Sequence, residues 1–457
     1  MSEKMQQRHP YVELVKRWID HGLEFNIIEL FSEMHPADIA YILDRLDEQE
    51  RQRLFALLDV EKASDVITQL SNESRDQILQ SIPEDVLIKI VDDMDSDDAA
   101  DLLAELPRER AEATLRGIPL EDSLEVQKLL RYDKESAGGL MQVELATVHP
   151  DMTVQDALDS IRKQAKEVKD IHDVFVVDRN NKLLGVVHLE DLILNPPQKL
   201  ISEIMDTMVQ SVTPDLDQEE VARIFMRYDI ITLPVVDTQG RLLGRITVDD
   251  VVDVMEEEAS EDFLKMAGTH EDELVYSGHP IKVSRLRLPW LITNLFGGLL
   301  VGYLMWLFKI TLKEALVLVT FVPVITGMGG NAGIQSTTIT VRGFAIGRVD
   351  FRNLWRHLFH EIRVGLLMGI ACGGVVALIA LLWHHNPMLG AVVGLAMFCA
   401  ISVATLMGTL MPAFFKRLGI DPAVASGPFV TTANDITGIL IYLSIATLFL
   451  KMLIPPG

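Results

Sequence analysis

Cysteine is nearly missing: the 457 residues contain two, Cys372 and Cys399, both inside apolar segments. No disulfide framework and no cysteine-based zinc site can be built from them. The first 280 residues hold no long apolar run after a basic start, so no signal peptide is expected and this part is expected to stay in the cytoplasm. Positive charge is scarce there too. Residues 1–281 carry 28 Lys+Arg against 61 Asp+Glu, net −33, which argues against nucleic-acid binding because that needs basic surface. In residues 282–457 the scarcity reverses, with five acids against 13 basic residues, net +8. The formal charge of −25 is the sum of these parts, yet mean hydropathy is positive. An acidic soluble region joined to an apolar, mildly basic membrane region satisfies both facts, and a secreted enzyme does not. No nucleophile–base constellation or Walker loop occurs, and the 12 histidines are scattered, so no enzyme is expected. The pair His384-His385 is read as an outer turn.

What is present first is a repeat. From His35, blocks of 12 residues begin at 35, 47, 59, 71, 83, 95, 107 and 119, and each closes on an apolar residue from Leu46 to Leu130. The eighth and ninth positions are mostly apolar as well, as in Leu54-Phe55, Val66-Ile67 and Ile90-Val91. Offsets of three and four from the closing residue share one helix face. Pro36, Pro83, Pro107 and Pro119 fall at or near block starts, where a helix's first turn tolerates proline. The spacing predicts an all-α superhelical N-terminal domain over residues 1–135, with a generic amphipathic bundle as the alternative.

After Ser136-Ala137-Gly138-Gly139-Leu140 the pattern becomes α/β and duplicates. Residues 174–191 align at an offset of 59 with residues 233–250, each a hairpin with Leu-Leu-Gly in its second strand and a closing Asp191 or Asp250. Asn180-Asn181 and Gln239-Gly240 hold the turns. These units resemble a tandem pair of CBS domains, expected over 136–255 as about 141–200 and 201–255.

From Arg287 onward uncharged stretches become long: 288–308, 315–341 and 364–415 interrupted at His384-His385-Asn386-Pro387, followed by 422–450 with one charge inside it. They predict a five-helix transmembrane domain over 283–457, the first stretch alone being about 32 Å long as a helix, enough to cross a bilayer. Ten basic residues flank one side, whereas only Lys309, Lys313 and Lys451 lie on the other. The basic side is expected to be cytoplasmic, placing the N-terminus inside and the C-terminus outside.

On this count Asp435 is the only acid within a span, and no basic residue lies inside any span to pair with it. A carboxylate at mid-membrane costs at least roughly 2.5–3.5 kcal/mol, so a water-filled path in which it faces a cation is the reading that remains. Pro428, Thr431, Thr432, Asn434 and Gly438 surround it, and an irregular helix start is expected to free carbonyls and hydroxyls. Oxygen-only surroundings suit Mg²⁺ or Ca²⁺. The stretch Gly327-Met328-Gly329-Gly330-Asn331-Ala332-Gly333-Ile334-Gln335-Ser336 is expected to line the same path, with Asn331 and Gln335 on one face. Small-residue packing is the alternative. Acids crowd an expected connecting helix over 256–282, among them Glu256, Glu257, Glu258, Glu261, Asp262, Glu271, Asp272 and Glu273, with Asp249, Asp250 and Asp253 just before it. Such dense like charge repels unless cations bridge it, which predicts a divalent-cation switch.

The order of acidic helical repeat, CBS pair, acidic helix and five spans resembles the MgtE family of magnesium channels or transporters. The local matches are Gly329-Gly330-Asn331-Ala332-Gly333-Ile334-Gln335-Ser336 and Asp421-Pro422-Ala423 with Pro428, Thr431, Thr432 and Asp435. The resemblance implies a homodimer in a bacterial inner membrane, with Asp435 binding hydrated Mg²⁺ and Asn331 and Thr431 beside it. It also implies regulatory Mg²⁺ that closes the path through Asp250, Asp253, Glu258, Glu261 and Asp262, with Asp217, Glu219 and Asp229 of the CBS pair. Asp93 and Asp97 are the candidates from the repeat. Some CBS pairs bind adenine nucleotides through a Thr/Ser-x-x-Asp element, matched here by Thr247 and Asp250, so ATP is a candidate modulator; the first unit has His188 in place of the hydroxyl. A membrane-anchored nucleotide sensor without ion flux is the competing function.

Overall fold

A computed structural model describes residues 3–165, 168, 171–269, 280–425 and 427–453. It divides into two compact units, residues 1–255 and 256–457.

In the first unit the 12-residue period is a period of helix caps. Eight short helices run from Pro36–Leu43 to Leu120–Leu129, and their N-cap residues are His35, Asp47, Asp59, Ser71, Pro83, Asp95, Pro107 and Pro119. Asp47 accepts from the Glu50 amide while Glu50 reaches back to the Asp47 amide, and Asp59 accepts from the Lys62 amide. Pro83, Pro107 and Pro119 sit one residue before the helix, at φ of −63°, −55° and −52°. The eighth and ninth positions of the first six blocks are buried, including Leu54, Phe55, Val66, Ile67, Ile78, Leu79, Ile90, Val91, Leu102 and Leu103. Full burial of each such side chain contributes roughly 1.5–3 kcal/mol before entropy. Alternate helices pack together, Val60–Thr68 on Glu84–Asp93 and Glu84–Asp93 on Arg108–Gly117, which is a superhelix rather than a bundle.

The duplication appears as two matching hairpins. β1 (Thr147–Val148) pairs parallel with β2 (Asp173–Val177), which pairs antiparallel with β3 (Leu183–His188). β4 (Thr232–Val236) pairs with β5 (Leu242–Thr247), and the register breaks at equivalent places, Val176/Val177 and Val235/Val236. Asp178 and Asp237 accept two turn amides each, and Asn181 and Gly240 take the positive φ (61° and 80°) that the turns require. The leading segments are exchanged. Gln142, ahead of the first hairpin, pairs with Arg245 of the second, whereas Asp206, ahead of the second, pairs with Val186 of the first.

The helix Val248–Ala267 follows β5 and carries the acids. It begins at Val248 and stops at Ala267, with Gly268 at φ +77°, which corrects the expected connecting helix over 256–282 running on to the first membrane helix. Glu271, Asp272 and Glu273 lie outside the described residues.

Five helices of the second unit are long and apolar enough to cross a membrane: Pro280–Leu307, Leu316–Ala345, Leu354–His384, Pro387–Arg417 and Pro428–Leu448. The second opens with a 3₁₀ segment, Leu316–Phe321, whose Leu318 carbonyl accepts from Tyr442 of the fifth at 2.8 Å. His385, at φ +52°, and Asn386, which caps the fourth helix through the Met388 and Leu389 amides, make the tight turn between the third and fourth. The third begins at Leu354, well before the apolar run at Val364, because a helix extends into the headgroup layer without needing apolar residues. The fifth is regular from Pro428, with only a short 3₁₀ turn at Pro422–Ala425 before it.

Candidate ion site and acidic cation sensor

Asp435 lies in the third turn of the fifth membrane helix, half-buried, with no hydrogen bond or ion pair among the described residues. Its neighbour Asn434 is 1% exposed, and both its amide oxygen and amide nitrogen find no hydrogen-bond partner. A buried amide left this way costs several kcal/mol in a dry site, which makes Asn434 and Asp435 the candidate place for water or an ion. The fifth helix meets the glycine-rich second helix here. A Cβ on Gly333 would lie 1.8 Å from Asn434 Nδ2, and one on Gly330 would lie 3.7 Å from Thr431 Cγ2. Gly333 is therefore a packing glycine, Gly329 and Gly330 have room for a Cβ, and Asn331 and Gln335 are exposed. The expected irregular start is corrected. Thr431 is inside a regular helix, and its hydroxyl donates to the Gly427 carbonyl at 3.2 Å, leaving only lone pairs to offer a cation.

Asp435 is not the only acid within a membrane helix. Glu361 lies in the third, is 4% exposed, and accepts a hydrogen bond from Ser336 Oγ of the second helix at 2.8 Å. Flanking Arg356 and Arg363 make the stretch read as a loop, and no local signal distinguishes it. Around it Thr340 contacts His357, and Thr337 donates to the Gly408 carbonyl, a polar seam joining the second, third and fourth helices.

The acidic helix reaches the base of the fifth membrane helix. Lys265 Nζ lies 2.5 Å from Glu261 and 2.6 Å from Asp421, in the motif before that helix. Burial opposes the charge on Lys265, but its bonds to the two carboxylates outweigh that and raise its pKa above the ordinary lysine value. A Cβ on Gly427 would sit 3.0 Å from the Met266 carbonyl, so the end of the acidic helix packs against the start of the helix that bears Asp435. Glu261, expected in a cation sensor, is here partnered by a lysine that sequence reading did not single out. Glu258 and Asp262 are half-buried on the same helix, and Asp253 is exposed.

Within the first unit, Asp97 from the repeat comes beside Asp250 from the CBS pair. Asp97 is 8% exposed; burial first, then the charges of Asp250, Asp98 and Glu144, raise its pKa well above the carboxylate range. Burial raises Asp250 to about 6, with Asp249 and Asp253 adding to it against a hydrogen bond from Thr247. Burial also raises Glu144, despite a bond from Ser96. This crowd of acids fits a cation-binding region. Among the described residues no three acid or histidine groups converge tightly enough to hold one metal directly. Other expected ligands lie elsewhere. Asp217 caps the helix Gln218–Tyr228, Glu219 pairs with Arg223 at 2.7 Å, Asp229 closes that helix at φ +51°, and Asp93 accepts from Ser64. Thr247 donates to Asp250 at 2.6 Å and lines a cavity of about 280 Å³ with Asp95, His172, Arg245 and Asp249.

Residues 322–445 match the model of the MgtE family, described as a divalent cation transporter; residues 34–135 match the MgtE intracellular N domain, and 137–196 and 201–257 match the CBS domain. The chain is 40% identical over 425 residues to the magnesium transporter MgtE of Enterococcus faecalis, covering 93% of each. It belongs to the MgtE family of magnesium transporters. The MgtE of Thermus thermophilus is 38% identical over 93% of this chain and 95% of its own. A crystal structure of the cytosolic domain of the Mg²⁺ channel MgtE in complex with ATP is similar at 36% identity and a TM-score of 0.51, covering 53% of this chain and 99% of that one. As a member of that family with five apolar helices, the chain is a multi-pass membrane protein of a cation-transporting family, not of an enzyme family, and Mg²⁺ is the ion the family transports.

Proposed function

We propose that the chain is a Mg²⁺-selective channel of a bacterial inner membrane, working as a homodimer and closed by cytosolic Mg²⁺. The observation that carries this reading is Asp435, a half-buried membrane carboxylate without a protein partner among the described residues, beside the unsatisfied amide of Asn434. Two such carboxylates, one from each protomer, would hold a cation by charge and through its water shell, since Mg²⁺ dehydrates reluctantly. Exposed Asn331 and the Thr431 lone pairs would accept from that water. The excess of basic residues at one end of the membrane helices supports a cytoplasmic N-terminus and an outer C-terminus.

Closure follows from charge. With divalent ions scarce, Asp97, Asp98, Asp250 and Asp253 repel; bound Mg²⁺ relieves that and favours the compact state. The acidic helix, through Asp253, Glu258, Glu261 and Asp262, would carry the change to the base of the fifth membrane helix, where Lys265 already holds Asp421. Asp93, Asp217, Glu219 and Asp229 are the outlying candidates. ATP is a candidate modulator through Thr247 and Asp250, supported by the ATP-bound relative, although the cavity beside Thr247 is below the usual size of roughly 300–1,000 Å³ for a small-molecule site.

The test is Mg²⁺ flux in proteoliposomes. Asp435→Asn is expected to abolish uptake while leaving assembly intact, and undiminished uptake sinks the assignment. For gating, Asp250→Asn with Asp253→Asn is expected to leave currents open at millimolar Mg²⁺ on the cytosolic face; normal closure refutes the sensor.

A further inference from the structure

The basic ends of the second and third membrane helices converge on a recess whose lining includes neither Asp435 nor Asn434. It encloses about 660 Å³ and is lined by Arg342 at the end of the second helix, Arg348 and Asn353 in the connecting loop, and Arg356, His357 and His360 at the start of the third. Guanidinium groups stay charged under all conditions in a protein. Among the described residues no carboxylate lies within ion-pairing distance of these three arginines. The nearby acids are engaged: Asp350 accepts from the Arg352 and Asn353 amides, and Glu361 accepts from Ser336 and is not part of the lining.

Three unpaired like charges about one recess are unfavourable unless an anion lies among them. A requirement for positive charge in the loops of one face explains their number but not their convergence. Arginine forks match phosphate oxygens bidentately, and the first turn of a 31-residue helix adds amide groups without intrahelical partners. The apolar surface near it indicates which phosphate. Ile339 and Ile346 line the recess itself, and on the third helix Trp355 and Phe359, next in sequence to the lining Arg356 and His360, are 69% and 60% exposed, a surface suited to acyl chains and an aromatic placed at headgroup depth. We propose that this recess binds the phosphate of an anionic phospholipid, the acyl chains lying along Ile339 and Phe359.

The experiment is native mass spectrometry of the full-length detergent-purified protein titrated with phosphatidylglycerol, phosphatidylcholine or inorganic phosphate. Wild type is expected to retain phosphatidylglycerol at least about tenfold more strongly than phosphatidylcholine, equivalent to ~1.4 kcal/mol. The triple variant Arg342→Gln, Arg348→Gln, Arg356→Gln should lose that preference, the triple Lys variant should keep most of it, and millimolar phosphate should not displace the lipid. If the triple Gln variant does not fold, Arg348→Gln alone serves, with a partial loss expected. Equal retention of the two lipids, or an unchanged preference in the Gln variants, overturns the proposal. Displacement by inorganic phosphate overturns the lipid assignment in favour of a soluble anion. A Gln variant that loses dimer, with no lipid preference in wild type, overturns it in favour of a contact between copies.

Discussion

Neutralising Asp250 should stabilise the divalent-free protein, and the size of the effect follows from its surroundings. Burial and neighbouring acids raise its pKa from 3.8 to about 6. The folded state then holds a proton that the unfolded state has released, so stability is intact below pH 3.8 and is lost as pH rises through about 6. At 1.36 kcal/mol per pH unit the loss is on the order of 3 kcal/mol. Asn keeps an oxygen to accept from Thr247 and removes the charge, its NH₂ taking the place of the second oxygen. In divalent-free buffer at pH 7.5, Asp250→Asn should therefore unfold later than wild type by about 6–12 °C, taking roughly 2–4 °C per kcal/mol for a unit of this size. The gap should close as pH falls from 6.5 to 4. Mg²⁺ should narrow it too, because an ion at 100 times its dissociation constant stabilises wild type by about 2.7 kcal/mol, close to the penalty it offsets. Scanning calorimetry of the detergent-solubilised chain, following the transition of the acidic unit, makes the measurement. A gap independent of pH, or a variant less stable than wild type without divalent ions, refutes the reasoning.

Gly333→Ala places a Cβ against Asn434 and should separate the second and fifth helices, costing about 1–3 kcal/mol by melting temperature and reducing flux; wild-type values for both would show that the contact is soft. Lys265→Gln removes the tie between Glu261 and Asp421, and because Asp421 is a third exposed the stability loss should be only on the order of 1 kcal/mol. Its larger effect should appear in the Mg²⁺ concentration that closes the current, and an unshifted midpoint contradicts a coupling role. Ser336→Ala leaves Glu361 without its donor and should cost about 1–3 kcal/mol, read as a lowered melting temperature, whereas Ser336→Thr should retain most of the stability.

Legibility followed the range of the interaction. Caps at 12-residue steps, proline at helix starts and the paired apolar positions are local, so the repeat could be read residue by residue. The membrane helices were legible from composition, but their ends were not: the third runs back to Leu354, which turned Glu361 from a loop acid into a buried one. The cost of burying Asp435 could be reasoned from one residue, whereas the orphaned amide of Asn434 depends on Gly333 bringing another helix against it. Of the expected sensor acids, Asp97 and Asp250 do meet, but Asp217 and Glu219 serve their own helix and Glu261 serves Lys265. A carboxylate's type does not show whether a cap, a lysine or an ion will claim it.

The sequence by itself determined the helical repeat, the duplicated α/β pair, the five apolar helices and the contrast of −33 against +8, because periodicity, capping and transfer free energy act within a few residues. Only the tertiary structure decided that Gln142 pairs with the second hairpin and Asp206 with the first, that Asp97 reaches Asp250, and that Lys265 reaches Asp421 across 156 positions. Those contacts join residues distant in the chain, and which of many similar acids and strands meet is settled by how whole elements pack.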